Sequence, residues 1–315
     1  MKILIIGGGG FQGSHLAEFF LSQGHTISVL TTYSERSLSN LRGLLSKITL
    51  VWGSVTDKEV VERTVRGHDV VFHLAAHINV DESLKDPLTF FNVNILGAYH
   101  VLEAVKKYEN RLILISTCEV YGDGHDLKPG ELLTEHVELR PNSPYASSKA
   151  AADRIAYAYF RSYDLDVTIV RPFNIFGERQ KSGAFGALIP IMTEKAIKGD
   201  RIVLFGSGES SRDYSHVSDV IQGYDLVLRT PALKGKVINL ASGKNVKIKD
   251  IAEYIAKKFN VQVVHGPSRP GEVSRFPADI SLARNLGFSP KVNVWEGIDR
   301  YIDWVKKNTY GKKGT

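Results

Sequence analysis

The stretch KILIIGGGGFQGSHL, residues 2–16, decides the fold. Its first five residues read as a strand buried on both faces; four glycines follow, and the apolar spacing then turns helical. Gly7, Gly10 and Gly13 stand where a chain leaving a strand must turn sharply, let a pyrophosphate approach its backbone, and pack a helix against the strand. The N–H groups at the start of such a helix suit an anion. The reading is therefore a dinucleotide-binding βαβ unit rather than an ordinary glycine-rich turn.

Outward from this loop the rhythm repeats. The apolar runs TISVL (26–30), DVVFHL (69–74), RLILI (111–115) and VTIVR (167–171) alternate with segments of helical period at 12–23, 57–66, 88–108 and 144–163. Unbroken apolar strands joined by helices predict an α/β fold, a Rossmann-like doubly wound parallel sheet. Residues 1–172 are expected to form this domain, with the chain returning to it at about 216–242, where KVINLA (236–241) reads as another buried strand. Residues 173–315 are expected to form mainly a smaller C-terminal substrate-binding lobe, with the ligand cleft at the carboxyl ends of the strands.

Bulk composition narrows the function only a little. A chain of 315 residues with 43% hydrophobic and 23% charged residues is that of a folded protein. The net charge of +6 suits phosphate-bearing ligands, and no block of like charges points to nucleic acid. One cysteine forms no internal disulfide, the chain opens on a strand without a charged leader, and no run approaches the roughly eighteen apolar residues of a membrane span. A cytoplasmic protein without membrane contact is the expectation. The basic end KKNTYGKKGT (306–315) reads as a solvated tail.

Chemistry enters at SPYASSK, residues 143–149. Tyr145 and Lys149 lie four apart at a helix start, so both project from one face. An ammonium near a phenol lowers the tyrosine pKa and creates a base that can take the proton of an alcohol during hydride transfer. Such a pair alone is often a surface feature. Here Ser116 and Thr117 end the preceding strand, where they can hydrogen-bond the same alcohol or its ketone.

With GGGGFQGSHL, HLAA (73–76), NVNILGAYHVLEA (92–104), STCEVYG (116–122), SPYASSK, RPFNIFG (171–177), RDYSHVSD (212–219) and RPGE (269–272), nearly the whole chain resembles the extended short-chain dehydrogenase/reductase superfamily, in particular its sugar-nucleotide epimerases and dehydratases. The resemblance implies a retained nicotinamide cofactor. Gly7, Gly10, Phe11, Gln12 and Gly13 would hold its pyrophosphate, and Thr31, Arg36, Ser54 and Val55 would surround the adenosine end. Leu74, Ala75, Ala76 and Asn94 would line its path across the sheet, and Ser116, Tyr145, Lys149 and Pro172 its nicotinamide end. Thr31 replaces the family's usual Asp and Ser54 an adenine-contacting Asp, so NAD is expected with NADP left open.

The resemblance also implies a UDP-linked sugar substrate. His77, Asn174, Leu188, Arg269 and Glu272 would contact it, and Arg212 would grip its diphosphate with a planar fork of donors. Phe185 would pack on the base, and Arg179 and Arg275 are further candidates for the phosphates. A homodimer through the segments 88–108 and 144–163 is implied as well. His73 and His77, four apart across a strand end, lack companion ligands, and no metal is expected.

Cys118 and Glu119 separate the possible reactions. Turning over a C4 hydroxyl needs no base aimed at C5, whereas elimination of water does, and Glu119 can remove the C5 proton that a C4 ketone acidifies. Cys118 occupies the place from which hexose 4,6-dehydratases assist loss of the C6 hydroxyl. A Cys–Glu pair also resembles the 5,6-dehydratases of the tunicamycin type. The expectation is an NDP-hexose or NDP-hexosamine dehydratase using Thr117, Cys118, Glu119, Tyr145 and Lys149. The alternative is a UDP-glucose or UDP-GlcNAc 4-epimerase. A UDP-glucuronate decarboxylase and a non-catalytic dinucleotide sensor rank below both.

Overall fold

The computed structural model describes residues 1–122, 127–128, 130–183, 186–267 and 275–310. Six strands build the main sheet from the first half of the chain: β1 (Lys2–Ile6), β2 (Thr26–Thr31), β3 (Thr49–Trp52), β4 (Val70–His73), β5 (Arg111–Ile115) and β6 (Val167–Pro172). Three strands then leave it, β7 (Asn174–Phe176), β8 (Ile202–Phe205) and β9 (Ser211–His216), before β10 (Val237–Leu240) pairs with β6. The spatial order is β10-β6-β5-β4-β1-β2-β3, and every pairing is parallel. This is the doubly wound sheet that the apolar rhythm predicts.

Alternation along each strand explains why the runs read as unbroken. Ile3, Ile5, Val29, Phe72 and Ile113 face one core with Phe20 and Tyr224, while Leu4, Ile6, Leu30, Val71 and Leu114 face a second with Val101 and Leu102. Burying each such side chain contributes about 1.5–3 kcal/mol, so neither face of the sheet can be left to solvent. β3 escaped the sequence reading. It is a four-residue edge strand with exposed ends, and its run is too short to stand out from a loop.

Helices Phe11–Ser22, Lys58–Val65, Gly97–Tyr108 and Pro144–Tyr163 cover the sheet. The last begins with an N-cap, as Ser143 accepts the N–H of Ala146, and Pro144 occupies the first helical position. Among the described residues one helical stretch, Pro87–Tyr108, is long and apolar enough to cross a membrane by length and composition alone, although Asn92, Asn94, His100 and Glu103 interrupt its apolar run. Packing accounts for much of its apolarity. Ala98, Val101, Leu102 and Val105 are buried in the second core.

The chain past β6 makes a smaller set of layers. β11 (Asn245–Lys247) runs antiparallel to β9, β12 (Val263–Gly266) pairs with β8, and β13 (Arg275–Phe276) and β7 lie parallel to β9. Helices Leu188–Ile197, Ile248–Phe259 and Val294–Tyr310 close a third core around Phe176, Met192, Leu204, Ile251 and Ile298.

Candidate active site

The glycine loop sits at the point where the winding of the sheet reverses, since β1 lies between β2 and β4. Gly7 has φ +88, and a Cβ there would lie 2.6 Å from the backbone N of Ala75. A Cβ on Gly13 would lie 2.4 Å from the carbonyl oxygen of Gly7. These two glycines are therefore demanded by close backbone approach. Gly10 caps the helix Phe11–Ser22 in extended conformation. Phe11 and Gln12 open that helix, where Gln12 accepts a hydrogen bond from the Tyr224 hydroxyl.

At the far end of this crevice Thr31 closes β2, buried, beside Gly9 and Ser37. Arg36 does not face them: it donates to the carbonyl of Arg179 at 2.7 Å. Arg179 itself pairs with Glu18, on the outside of the first helix. Ser54 bonds the Thr56 hydroxyl, and the carbonyl of buried Val55 bonds His100 Nδ1 at 2.9 Å. The carboxylate of Glu35, four residues past Thr31, accepts from the Tyr33 hydroxyl.

Across the sheet, Leu74 donates its N–H to Ile6, so Leu74, Ala75 and Ala76 continue from β4 past the glycine loop. Asn94 lies in one turn of π-helix (Phe91–Leu96) with its side chain fully engaged by protein. Its oxygen accepts the His77 N–H, and its amide donates to the His77 carbonyl and the Ser148 hydroxyl. It pins the rim segment to the helix of Tyr145 rather than facing the crevice. The His77 ring packs on Phe90, whose ring in turn meets Tyr145 edge-on.

The strand end after β5 and the helix from Pro144 bring Thr117, Tyr145 and Lys149 together, all buried. Burial raises the Tyr145 phenol above its ordinary pKa, opposed by a hydrogen bond with Thr117 and reinforced by the charge of Glu119. A buried ammonium needs an acceptor, and Lys149 takes the carbonyl of Ile115 at 2.7 Å; burial lowers its own pKa to about 8 against the pull of Asp153. The Lys149 ammonium is thus engaged by the end of β5 in this arrangement. His73, buried beside Lys149, is held neutral, its pKa lowered by burial to about 3.

Cys118 and Glu119 form a single turn of tight helix, Cys118–Tyr121, capped by Thr117 accepting the Glu119 N–H. Burial raises the Glu119 pKa, and the Arg212 charge pulls it back. The Cys118 thiol is pushed well above its usual value by burial and then by Glu119, so it keeps its proton. Glu119, Asn174, Leu188 and Arg212 line one cavity of about 1090 Å³, together with Asn142, Ser143, Tyr214 and Phe276. Arg212 stacks on the Phe276 ring. Asn142 and Asp81 on this wall carried no signal in the sequence, because each comes from a different segment that only the fold brings to the cavity. Arg269, Glu272 and Phe185 lie outside the described residues, as does the side chain of Arg275.

The profile of the NAD dependent epimerase/dehydratase family matches residues 3–241. The chain belongs to this family. It is 34% identical over 323 residues to a dTDP-glucose 4,6-dehydratase of Streptomyces niveus, covering 98% of this chain and 94% of that one. It is 30% identical over 311 residues to a putative UDP-glucose 4-epimerase of Methanocaldococcus jannaschii, covering 97% and 99%. The crystal structure of DesIV, a dTDP-glucose 4,6-dehydratase of Streptomyces venezuelae with NAD and TYD bound, superposes with a TM-score of 0.89 at 28% identity, covering 99% and 98%. As an epimerase/dehydratase, the protein is an NAD-dependent enzyme acting on nucleotide sugars.

The residues present fit the dinucleotide. Gly7 and Gly13 bring the loop backbone close to the strand after β4 and to the first helix, and two buried polar atoms at the other end of the crevice, Ser116 Oγ and His73 Nδ1, lack partners among the described residues.

Proposed function

We propose that this epimerase/dehydratase removes water from a nucleotide-linked hexose or hexosamine, with the nucleotide UDP. The observation that carries the reading is Glu119: a half-buried carboxylate of raised pKa that opens on the same cavity as Arg212 and adjoins the Thr117–Tyr145 pair. Gly7, Gly10 and Gly13 hold the pyrophosphate of the cofactor, and Ser116 and Lys149 its nicotinamide end. When bound, the nicotinamide accepts the C4 hydride of the sugar as the alcohol becomes a ketone, and later gives it back.

The protein's own groups do the rest. Tyr145 takes the C4-hydroxyl proton, held in place by Thr117. Lys149, ammonium below about pH 8, supplies positive charge beside it once its bond to the Ile115 carbonyl is shared. The C4 ketone acidifies C5, and Glu119 removes that proton; its raised pKa brings its basicity nearer to neutral pH. As the C5–C6 double bond forms, the C6–O bond breaks, and the oxygen leaves as water with the proton that Glu119 acquired. Cys118, still protonated, donates a hydrogen bond to the departing oxygen. A hydride restored to C6, with the proton held by Tyr145 passing to C5, would give a 4-keto-6-deoxy sugar; a hydride restored to C4, with that proton returned to O4, would leave a 5,6-alkene. Arg212 grips the diphosphate, while Asn174 and Leu188 contact the rest of the nucleotide sugar.

The alternative is a 4-epimerase, served by Thr117, Tyr145 and Lys149 without Glu119; the 30% identity to the putative UDP-glucose 4-epimerase favours keeping it in the test. Incubation with UDP-GlcNAc, UDP-glucose and dTDP-glucose, followed by mass spectrometry, separates the two. A product lighter by one water is expected; unchanged mass with altered chromatography overturns elimination.

Homodimerisation belongs to the same proposal. Leu84, Leu88, Phe91, Leu96 and Tyr99 are exposed along the segment that ends in helix Gly97–Tyr108, an apolar strip that a second copy can cover. Sedimentation at twice the chain mass is expected, and a monomer overturns it. A single buried, free thiol suits a reducing cytoplasm.

A further inference from the structure

We propose that Tyr121 is a positioning residue whose phenol, through Arg171 and Asp153, ties the turn bearing Cys118 and Glu119 to the helix bearing Tyr145 and Lys149. The inference rests on the elimination reading and deepens it by saying what keeps base and oxidation pair in one geometry.

The need for such a tie comes from the turn itself. Cys118–Tyr121 is one turn of 3-10 helix, too short to fix its own orientation. Among the described residues no hydrogen bond or ion pair holds the Glu119 carboxylate; only burial and the Arg212 charge act on it. Its direction is therefore set by its backbone. The leading end of the turn is held by the Thr117 cap. The trailing end closes on Gly122, φ +79, where a Cβ would lie 2.1 Å from the Arg140 carbonyl oxygen.

The Val120 carbonyl accepts the Arg140 N–H at 3.0 Å, and Tyr121 supplies a side-chain hold that reaches across the fold. Its hydroxyl accepts from Arg171 Nη1 at 3.0 Å and donates to Asn239 Oδ1 at 2.7 Å. Arg171, 1% exposed and the largest fully buried side chain, makes a forked pair with Asp153, Nε to Oδ2 at 2.9 Å and Nη2 to Oδ1 at 3.1 Å. Asp153 stands four residues past Lys149 and eight past Tyr145, on one side of the helix Pro144–Tyr163. Burial opposes its charge, and Arg171 then Arg154 hold its pKa down. Asn239 on β10 completes the chain, donating to the Leu133 and Asp279 carbonyls while its own N–H reaches Glu135. The turn, the helix, β6 and β10 are thus locked by groups that each have a partner.

Stability alone does not call for this arrangement, because a buried ion pair is often no more stabilising than apolar packing of the same volume. What it provides is fixed geometry between groups on different elements, and a shift of about 1 Å can cost on the order of a hundredfold in rate.

The test is Tyr121→Phe in the full, cofactor-loaded chain, with the sugar nucleotide that the unaltered protein dehydrates. Three quantities are read: reduced-cofactor absorbance for oxidation at C4, solvent deuterium entering C5, and melting temperature. The C5 step is expected to fall about 10- to 100-fold, with oxidation at C4 changed by less than about threefold. Asn239→Ser, which withdraws the amide from Tyr121 and from the Leu133 and Asp279 carbonyls while keeping the Tyr121–Arg171 contact, is expected to move the same ratio less, and serves if the first variant does not fold. Equal loss in both half-reactions, or loss in neither, overturns the positioning role alone. No C5 exchange and no water loss in the unaltered protein overturns the elimination reading and this proposal with it.

Discussion

The glycine crevice and the Glu119 cavity lie on the same sheet edge yet are specified in different ways. The crevice is set by backbone: Gly7 and Gly13 leave no room for a Cβ, and the neighbouring chain belongs to three adjacent parallel strands. The cavity is set by side chains from remote segments, with Glu119 after β5, Asn174 on β7, Leu188 on a helix, and Arg212 on β9. A backbone site tolerates almost no substitution but dictates little chemistry. A side-chain site can change its reaction by one residue, and relatives of this chain accordingly include both a dehydratase and a putative 4-epimerase.

That contrast can be broken at several points. Glu119→Gln is expected to lower the rate of water loss by about 10²- to 10⁴-fold while the cofactor copurifies as before; an undiminished rate removes Glu119 from the chemistry. Next, Gly13→Ala is expected to do the reverse. Its methyl meets the Gly7 carbonyl, so dinucleotide affinity and stability fall together, the latter by about 2–4 kcal/mol in denaturant titration. Arg212→Lys loses the planar fork and is expected to raise the KM for the nucleotide sugar about tenfold with kcat little changed. A fall in kcat alone would instead place Arg212 near the reacting atoms.

The smallest effect concerns pH. His73 titrates at about 3 in the folded chain, against an ordinary value of 6.5, because burial disfavours its charge. Below pH 6.5 the unfolded chain takes up a proton that the folded one refuses, so this contribution is full above pH 6.5 and is lost as pH falls toward 3. The slope is at most ~1.4 kcal/mol per pH unit. Denaturant titrations across that window should flatten in His73→Asn, and an unchanged slope would assign acid sensitivity to other groups. Glu119 gives a matching kinetic sign: its raised pKa should place the rising limb of the C5 exchange rate above the ordinary carboxylate range.

Much of the main sheet was legible because double-sided burial leaves unbroken apolar runs, and the glycine positions because their spacing is tied to a turn. β3 was not, since an edge strand with exposed ends has no such run. Around the candidate site, Tyr145, Lys149, Thr117 and Glu119 stood out as residue types in motifs. Their relations did not: Lys149 turns to the Ile115 carbonyl, Asn94 to His77 and Ser148, and Arg36 to Arg179. Hydrogen-bond partners far apart in the chain leave no spacing to read.

By itself the sequence determined the alternation of buried strands and covering helices, the glycine loop at the first turn, and which functional groups are available, because each depends on local periodicity or on residue type. The tertiary structure alone decided which groups meet. Burial moved the pKa values of Glu119, Cys118, Tyr145 and Lys149, and the Tyr121–Arg171–Asp153 chain joined elements fifty residues apart in sequence. Desolvation and long-range hydrogen bonding exist only once the chain has packed, so no reading of neighbours along it could contain them.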